Sequence, residues 1–583
     1  MVKVLSIINK KGSTLLEALL AVAAFGLFVT AIVGGLVYGR ESTLLAGQRQ
    51  RAARVAEECE EAVRGIRDGG YANLTNGTFG LALVSGHWTL SGSSDTVDIF
   101  SRSVTVADAA TGEKSITCNV GWNQNRQRPG VLSLVSYLSN WREINIVRRK
   151  GMLVYGDGGT TSDAIKYKIY DDNTGVWTAA AATADVDTGT TSKYLRAAKV
   201  YASATRNEKV LISRHYNVSG TTNWIYAQVY NGNAGTWGSV QQLSTWSANT
   251  FLDAQNFDAT YLANGDLMVV YSDFSSTPKY RIWNGTTWGS QLSMQVGQSY
   301  PIFITVKARP GTNEVMAVFA NQGKRTETQY YNGSSYALAS WTLATHATNA
   351  VLNTVKFADF DWSPTSLVTG ALVYEANTKY LTAKIFTANG TGGGSWSSAV
   401  NGPTQPQNAV NVLVRGQKGA NEFMTCDKDN KSQPNLTCFE INSFTPTFSP
   451  TVNTTLSTVS QAGIQQSMDF MYNLAGTIGL SVFSDNTLTP KYNIYNATAH
   501  TFGTSASMSN LTGILDTVRL VTNPISNDMM ILLGDANRGV SSAIWDGSTN
   551  TFYGTPVGRA LVTHGTAGSA ITDYWYDFVW DAL

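Results

Sequence analysis

Four aspartates recur in the sequence with an aromatic residue three positions later: Asp258 with Tyr261, Asp359 with Trp362, Asp469 with Tyr472, and Asp577 with Trp580. On a β-strand a spacing of three sends two side chains to opposite faces, so one member of each pair must enter a packed interface. Buried carboxylates need partners. Regular recurrence favours bonds to the backbone or to a lysine of a neighbouring element, with ligand or cation binding in a central channel as the alternative. A fifth acid, Glu17, is the single charged residue between Leu15 and Tyr38. A carboxylate there costs roughly 2.5–3.5 kcal/mol at the centre of a membrane span, so it demands a cationic partner.

Other chemistry-bearing residues are sparse. Cys426 and Cys438 flank a polar turn in "FMTCDKDNKSQPNLTCFEI", which suits a cross-strand disulfide in an oxidising compartment. Cys59 and Cys118 fall in different elements, and their pairing is left open. The five histidines show neither H-x-x-x-H nor C-x-x-C company, which gives no support to a zinc site. "CDKDNKS" fails the calcium-loop pattern at Lys431 and lacks a distal Glu. Sequons such as Asn217, Asn284 and Asn332 fit turn chemistry better than glycans. With no arginine cluster for a carboxylate substrate and no acid pair relatable in space, no catalytic residue, metal ligand or cofactor is assigned. Charged residues make up 14% and net charge is +1, so the basic excess of a nucleic-acid binder is missing. A body rich in Gly, Ser, Thr and Asn instead suits an exported β-protein.

The elements that position these residues divide at about residue 142. The run Leu15–Tyr38 would form a helix about 36 Å long, enough for a hydrocarbon core of about 30 Å. Lys3, Lys10 and Lys11 precede it, and a basic flank keeps that end in the cytoplasm. Beyond the run, Ala52, Val55, Ala56, Cys59, Ala62, Val63 and Ile66 repeat at helical spacing until Gly69-Gly70 stops the pattern. Alternating strands follow. The motif "KKG/STLLEALLAVAAFGLF" resembles the class III signal of type IV pilins and type II secretion pseudopilins: basic pair Lys10-Lys11, Gly12 at the cleavage point, and an acid at the fifth mature residue. "VGWNQNRQRPGVLSLVSYLSNW" is similar to the end of minor pilins and pseudopilins.

That resemblance implies cleavage after Gly12 by a prepilin peptidase, methylation of the new amine on Ser13, and pairing of Glu17 with the N-terminal amine of an adjacent subunit in a filament. Ser13 departs from the Phe usual in major pilins and tilts the expectation toward a minor subunit. Residues 1–12 are then a leader, and 13–142 a pilin-like α+β domain with its helix over 13–68.

Residues 143–583 carry an internal repeat. Tyr170, Tyr230, Trp283, Tyr331, Phe386, Ile441, Tyr495 and Trp545 anchor similar turn-containing segments every 48 to 60 residues. Each repeat reads as four short antiparallel strands, which predicts an all-β propeller of eight four-stranded blades. Its first repeat lacks an inner strand, and "DYWYDFVWDAL" at the end supplies one, closing the ring and removing open edges. Repeats also alternate: three of the D-x-x-[YW] repeats continue with Asp157, Asp273 or Asp485 and with Lys166, Lys279 or Lys491, the Asp359 repeat reading "VYEA" instead, whereas the other four read differently, as in "TRNEKVLIS" and "GTNEVMAVFA". Some turns resemble the Asp-boxes of sialidases.

The expectation is a single-pass cytoplasmic-membrane protein, N-terminus inside, that moves to an extracellular filament as a minor pilin-like subunit. A bulky head implies few copies near a tip, where it would meet a surface glycan or protein. Alternatives are a secretion pseudopilin engaging exported substrate, or a pilin-tethered surface hydrolase.

Overall fold

The computed structural model describes residues 2–84, 86–110, 113–125, 128–139, 150–158, 164–178, 182–184, 193–217, 221–247, 254–350, 355–443, 446–463, 465–553, 559–563 and 574–582, with backbone alone for 2–13, 72, 110, 125, 450–451 and 559–563. The chain forms two compact units, Met1–Ile146 and Val147–Leu583.

In the first unit one helix runs over Val2–Gly69. It therefore begins ahead of residue 13, because 2–12 contain no proline and only Gly12 weakens the helix. Its two halves differ. Large apolar side chains from Leu15 to Tyr38 are 40–75% exposed, and this stretch is long and apolar enough to cross a membrane. From Ala52 to Ile66 the apolar face is buried against an antiparallel sheet, contacting Val104, Val106, Ile116, Cys118 and Val120. That sheet runs in the order His87–Ser91, Gly77–Val84, Phe100–Ala110, Glu113–Asn125, Arg128–Ser139. A Cys59–Cys118 disulfide ties helix to sheet. Arg102, 2% exposed, is held by Asp95 at 2.7 Å.

The described residues of the second unit form eight antiparallel sheets of four or five strands, the blades of a β-propeller. Their inner strands, numbered by blade from one to eight, are Tyr576–Trp580, Lys193–Ala202, Phe257–Tyr261, Pro301–Ala308, Ala358–Trp362, Ala409–Gly416, Met468–Tyr472 and Leu515–Thr522. Each touches the next, and the eighth touches the first. Closure comes from the chain end: Tyr576–Trp580 pairs antiparallel with Lys150–Gly156, matching Asp577 with Val154. Pairing the two ends gives Lys150–Gly156 the inner neighbour that blade one would otherwise lack and closes the ring of blades.

Close packing inside the odd blades explains three glycines. A Cβ on Gly151, Gly370 or Gly479 would lie 2.1–2.3 Å from the ring of Phe578, Phe360 or Phe470, the residue following each motif aspartate. Blade three swaps the sizes, with Ala259 after Asp258 and Leu267 at the glycine's place opposite the motif aromatic. Volume is conserved across the pair, as dense cores require.

Candidate functional site

The inner strands enclose a central cavity of about 340 Å³, lined among others by Asp258, Asp359, Asp469 and Asp577. These four come from odd blades and share one bond. Each turns an Oδ2 atom to accept a backbone N–H from the inner strand of the following even blade: Val306 at 2.8 Å, Val414 at 3.0 Å, Leu520 at 3.0 Å and Val200 at 3.0 Å, respectively. Among the described residues, neighbouring inner strands are joined by isolated parallel bridges and single backbone bonds rather than by a ladder, so these carboxylates satisfy N–H groups that burial would otherwise leave unpaired.

Even blades supply the counter-charge. Lys199 and Arg519 precede, and Lys307 and Arg415 follow, the residue whose N–H is taken. Positions one before and one after lie on the same strand face, so all four cations line the cavity. Lys199 Nζ donates to Asp258 at 2.9 Å, with Tyr201 Oη donating to the same oxygen at 2.7 Å. Asp359 accepts from Thr305 Oγ1 at 3.1 Å and pairs with Lys356 at 3.1 Å; Arg415 bridges Asp359 at 3.5 Å and Asp469 at 2.8 Å.

Electrostatics separate these carboxylates. Burial pushes the Asp359 carboxyl up, but Lys356, Arg415 and Lys307 outweigh it and hold the group below the ordinary carboxylate range. Burial wins at Asp577, which is raised although Lys199 and Arg519 oppose the shift. Lys356 is lowered by burial in spite of Asp359. The cavity is thus a polar, nearly self-neutralised ring, suited to a ligand that exchanges hydrogen bonds with both signs of charge.

The motif aromatics point the other way, to the preceding blade. Trp362 Nε1 donates to the Lys307 carbonyl and Trp580 Nε1 to that of Val521, both at 3.0 Å. Tyr261 Oη donates to Glu208 at 3.1 Å. Three of the four D-x-x-[YW] pairs therefore stitch three consecutive blades, carboxylate forward and ring backward, while the Tyr472 hydroxyl makes no such bond. Further out, the recurring lysines approach the recurring acids: Lys166–Asp157 at 3.6 Å and Lys491–Asp485 at 3.5 Å. Both pairs are partly exposed and contribute little to stability.

Cys426 and Cys438 stand opposite each other on adjacent strands of blade six and form a disulfide. Glu17 lies on the exposed apolar half of the helix. The side chains of Lys10, Lys11, Gly12 and Ser13 fall outside the described residues, as does most of the link "REINIVRRK". Asn284 and Asn332 each accept a backbone N–H two residues on, at 2.9 and 3.0 Å, the Asx-turn bond expected of such sequences.

One recurring feature escapes a motif search built on the aspartates. All four even blades carry Asn-Glu or Asn-Asp ahead of or at the start of the second strand: Asn207-Glu208, Asn313-Glu314, Asn421-Glu422 and Asn527-Asp528. Aligning the even repeats with one another is the signal that finds it.

Fold and site together define a β-propeller protein that carries an N-terminal helix apolar enough for a membrane. No family model matches the chain, and no curated protein matches it. Among solved structures it is similar to the BP39L lectin from Burkholderia pseudomallei, at 11% identity and TM-score 0.45 over 63% of this chain and 100% of that one. It is also similar to a putative 6-phosphogluconolactonase from Bacteroides fragilis, at 12% identity and TM-score 0.38 over 63% and 97%. The dihydro-heme d1 dehydrogenase NirN matches at 7% identity and TM-score 0.43 over 71% and 73%. Likenesses at this level carry no functional argument.

Proposed function

We propose that the chain is a minor type IV pilin-like subunit that displays its propeller on a filament, near the tip, to recognise a surface glycan or protein. The observation that carries this reading is the division of one helix into two halves. Its apolar first half bears Glu17 and stays bare of protein, while its second half packs on an antiparallel sheet. A bare apolar surface of that extent needs a membrane or other helices to cover it. Filament assembly offers helices, and a neighbour's N-terminal amine inside that apolar core would answer the charge on Glu17. The propeller then serves as the recognition head, with its polar channel as the ligand site.

Shearing filaments from the native cell and sequencing N-termini by mass spectrometry tests this. The expected product begins at N-methylated Ser13, at low abundance beside a major subunit, and is lost from filaments on Glu17→Ala. An intact Met1 leader found only in membranes would overturn the assignment. So would full incorporation of the Glu17→Ala chain.

A further inference from the structure

Blade six departs at one place from blades two and four, where an arginine meets the acid of the Asn-Glu pair. In blade two the Glu208 carboxylate is neutralised by Arg206 at 2.7 Å and also accepts from Tyr261 at 3.1 Å and Trp283 at 3.2 Å. In blade four Arg309 pairs with Glu314, five residues on. In blade eight Asp528 accepts the N–H of Gly547 at 3.0 Å. Blade six has Gln417 five residues before Glu422, and that amide is spent on the Gly476 carbonyl at 3.1 Å.

The missing cation coincides with an added acid. Glu440 stands opposite Met424, whereas the matching positions, opposite Val210, Met316 and Met530, hold Val229, Tyr330 and Ile544. His500, on the turn of blade seven between Lys491–Asn496 and Thr501–Phe502, completes a trio. Its Nδ1 lies 2.9 Å from Glu440 and 3.7 Å from Glu422, and one donor atom from each of the three residues falls within 4.8 Å of the others. Ligand oxygens and nitrogens about 2.0–2.2 Å from a tetrahedral ion sit roughly 3.4 Å apart, so only small shifts are needed.

Two further groups face this trio. The Tyr472 hydroxyl, on a side chain 5% exposed, has no hydrogen-bond partner, and its ionisation is opposed by burial and by Tyr495, Glu440 and Glu422 around it. Oε2 of Glu422 is likewise buried and makes no hydrogen bond, His500 Nδ1 standing 3.7 Å away. Tyr495 donates to Glu440, the kind of outer bond that orients a metal-binding carboxylate. Two neighbouring carboxylates, no fixed cation and an idle buried hydroxyl leave a shortage of positive charge.

We propose that Glu422, Glu440 and His500 bind one divalent first-row metal ion of the zinc class in the seam between blades six and seven, with Tyr472 beside the open coordination position. Mixed nitrogen and oxygen donors suit such an ion. Sequence spacing does not reveal the site, since its ligands lie on two strands and a turn of two different blades.

The test is calorimetric titration of the detergent-solubilised, chelator-stripped full chain with zinc chloride. One ion per chain is expected, bound at least tenfold more weakly by Glu440→Gln and by His500→Asn. Asparagine tolerates the left-handed backbone at His500 (φ 53°), which keeps that variant folded. Gln417→Arg restores the sister-blade cation and is expected to abolish zinc uptake without lowering the melting temperature. The proposal is overturned by absence of stoichiometric zinc, which would mean a protonated His500 serves the carboxylates alone, or by zinc binding unchanged in these variants.

Discussion

The central channel and the seam between blades six and seven both gather buried carboxylates, yet they solve the charge problem differently. In the channel every motif aspartate meets a backbone N–H of the next blade, and cations from the even blades stand around them in a repeated plan. At the seam Glu422 and Glu440 lie together where a sister blade keeps an arginine and an apolar residue. A network that bonds every motif carboxylate and obeys the repeat is what a scaffold needs, because each copy performs the same structural task. A cluster that departs from the repeat and leaves donors idle is where an added function is sought.

Removing one charge from each region should separate them. Asp359→Ala strands Lys356, takes from Arg415 one of its two carboxylate partners and unpairs the N–H of Val414, so a loss of about 3–5 kcal/mol is expected. Denaturant unfolding of the full chain measures it, and a loss below about 1 kcal/mol would remove the scaffold reading. The sign of the pH dependence follows from the depressed carboxyl of Asp359. Its contribution is fully present above the unfolded value of about 3.9 and disappears as pH falls through the lower folded value. In metal-free protein Glu440→Gln should be neutral or stabilising, because it relieves a like-charge pair whose presence, after burial, raises Glu422.

The disulfide gives the next effect in size. Cys426 and Cys438 join the two strands that carry Glu422 and Glu440, and opening so short a loop costs about 3 kcal/mol. The double serine variant should lose that much in denaturant unfolding and also bind zinc more weakly, since the carboxylates lose their fixed register. Undiminished zinc affinity would show that the trio is positioned by blade packing alone.

Much of the architecture is legible in the sequence, for local reasons. Turn chemistry repeats from Tyr170 to Trp545 because every blade needs the same sharp return, and the lone strand at the chain end has the composition of the inner strand that blade one lacks. The aspartate pattern announces itself but not its bond, because Asp258 and Val306, or Asp577 and Val200, meet only once the ring has formed. The Asn-Glu pairs are hidden for a related reason: Glu208 is recognised by Tyr261 and Trp283 of the following blade. The Glu422, Glu440 and His500 cluster obeys no spacing rule at all. Pairing of Cys59 with Cys118 likewise depends on helix meeting sheet.

Asp577→Asn offers the finest test, because it probes a channel position where the charge itself is disfavoured. Burial raises this carboxyl despite Lys199 and Arg519, so an amide keeps what matters, an oxygen to accept the N–H of Val200. The cations are not stranded: Lys199 retains Asp258 at 2.9 Å, and Arg519 donates to the Val518 carbonyl at 2.9 Å. A change within about 1 kcal/mol is expected, well below the cost at Asp359. A carboxyl with a raised folded pKa contributes stability below its unfolded value near 3.9 and loses it as pH rises through the folded value. The Asn variant should therefore gain on the native chain in melting temperature as pH is raised from about 4 to 8, a trend opposite in sign to that at Asp359, which lies below about pH 4. If instead Asp577→Asn loses as much at pH 8 as Asp359→Asn does, the four carboxylates are electrostatically equivalent, and the channel's stability rests on charge pairing rather than on the shared backbone bond.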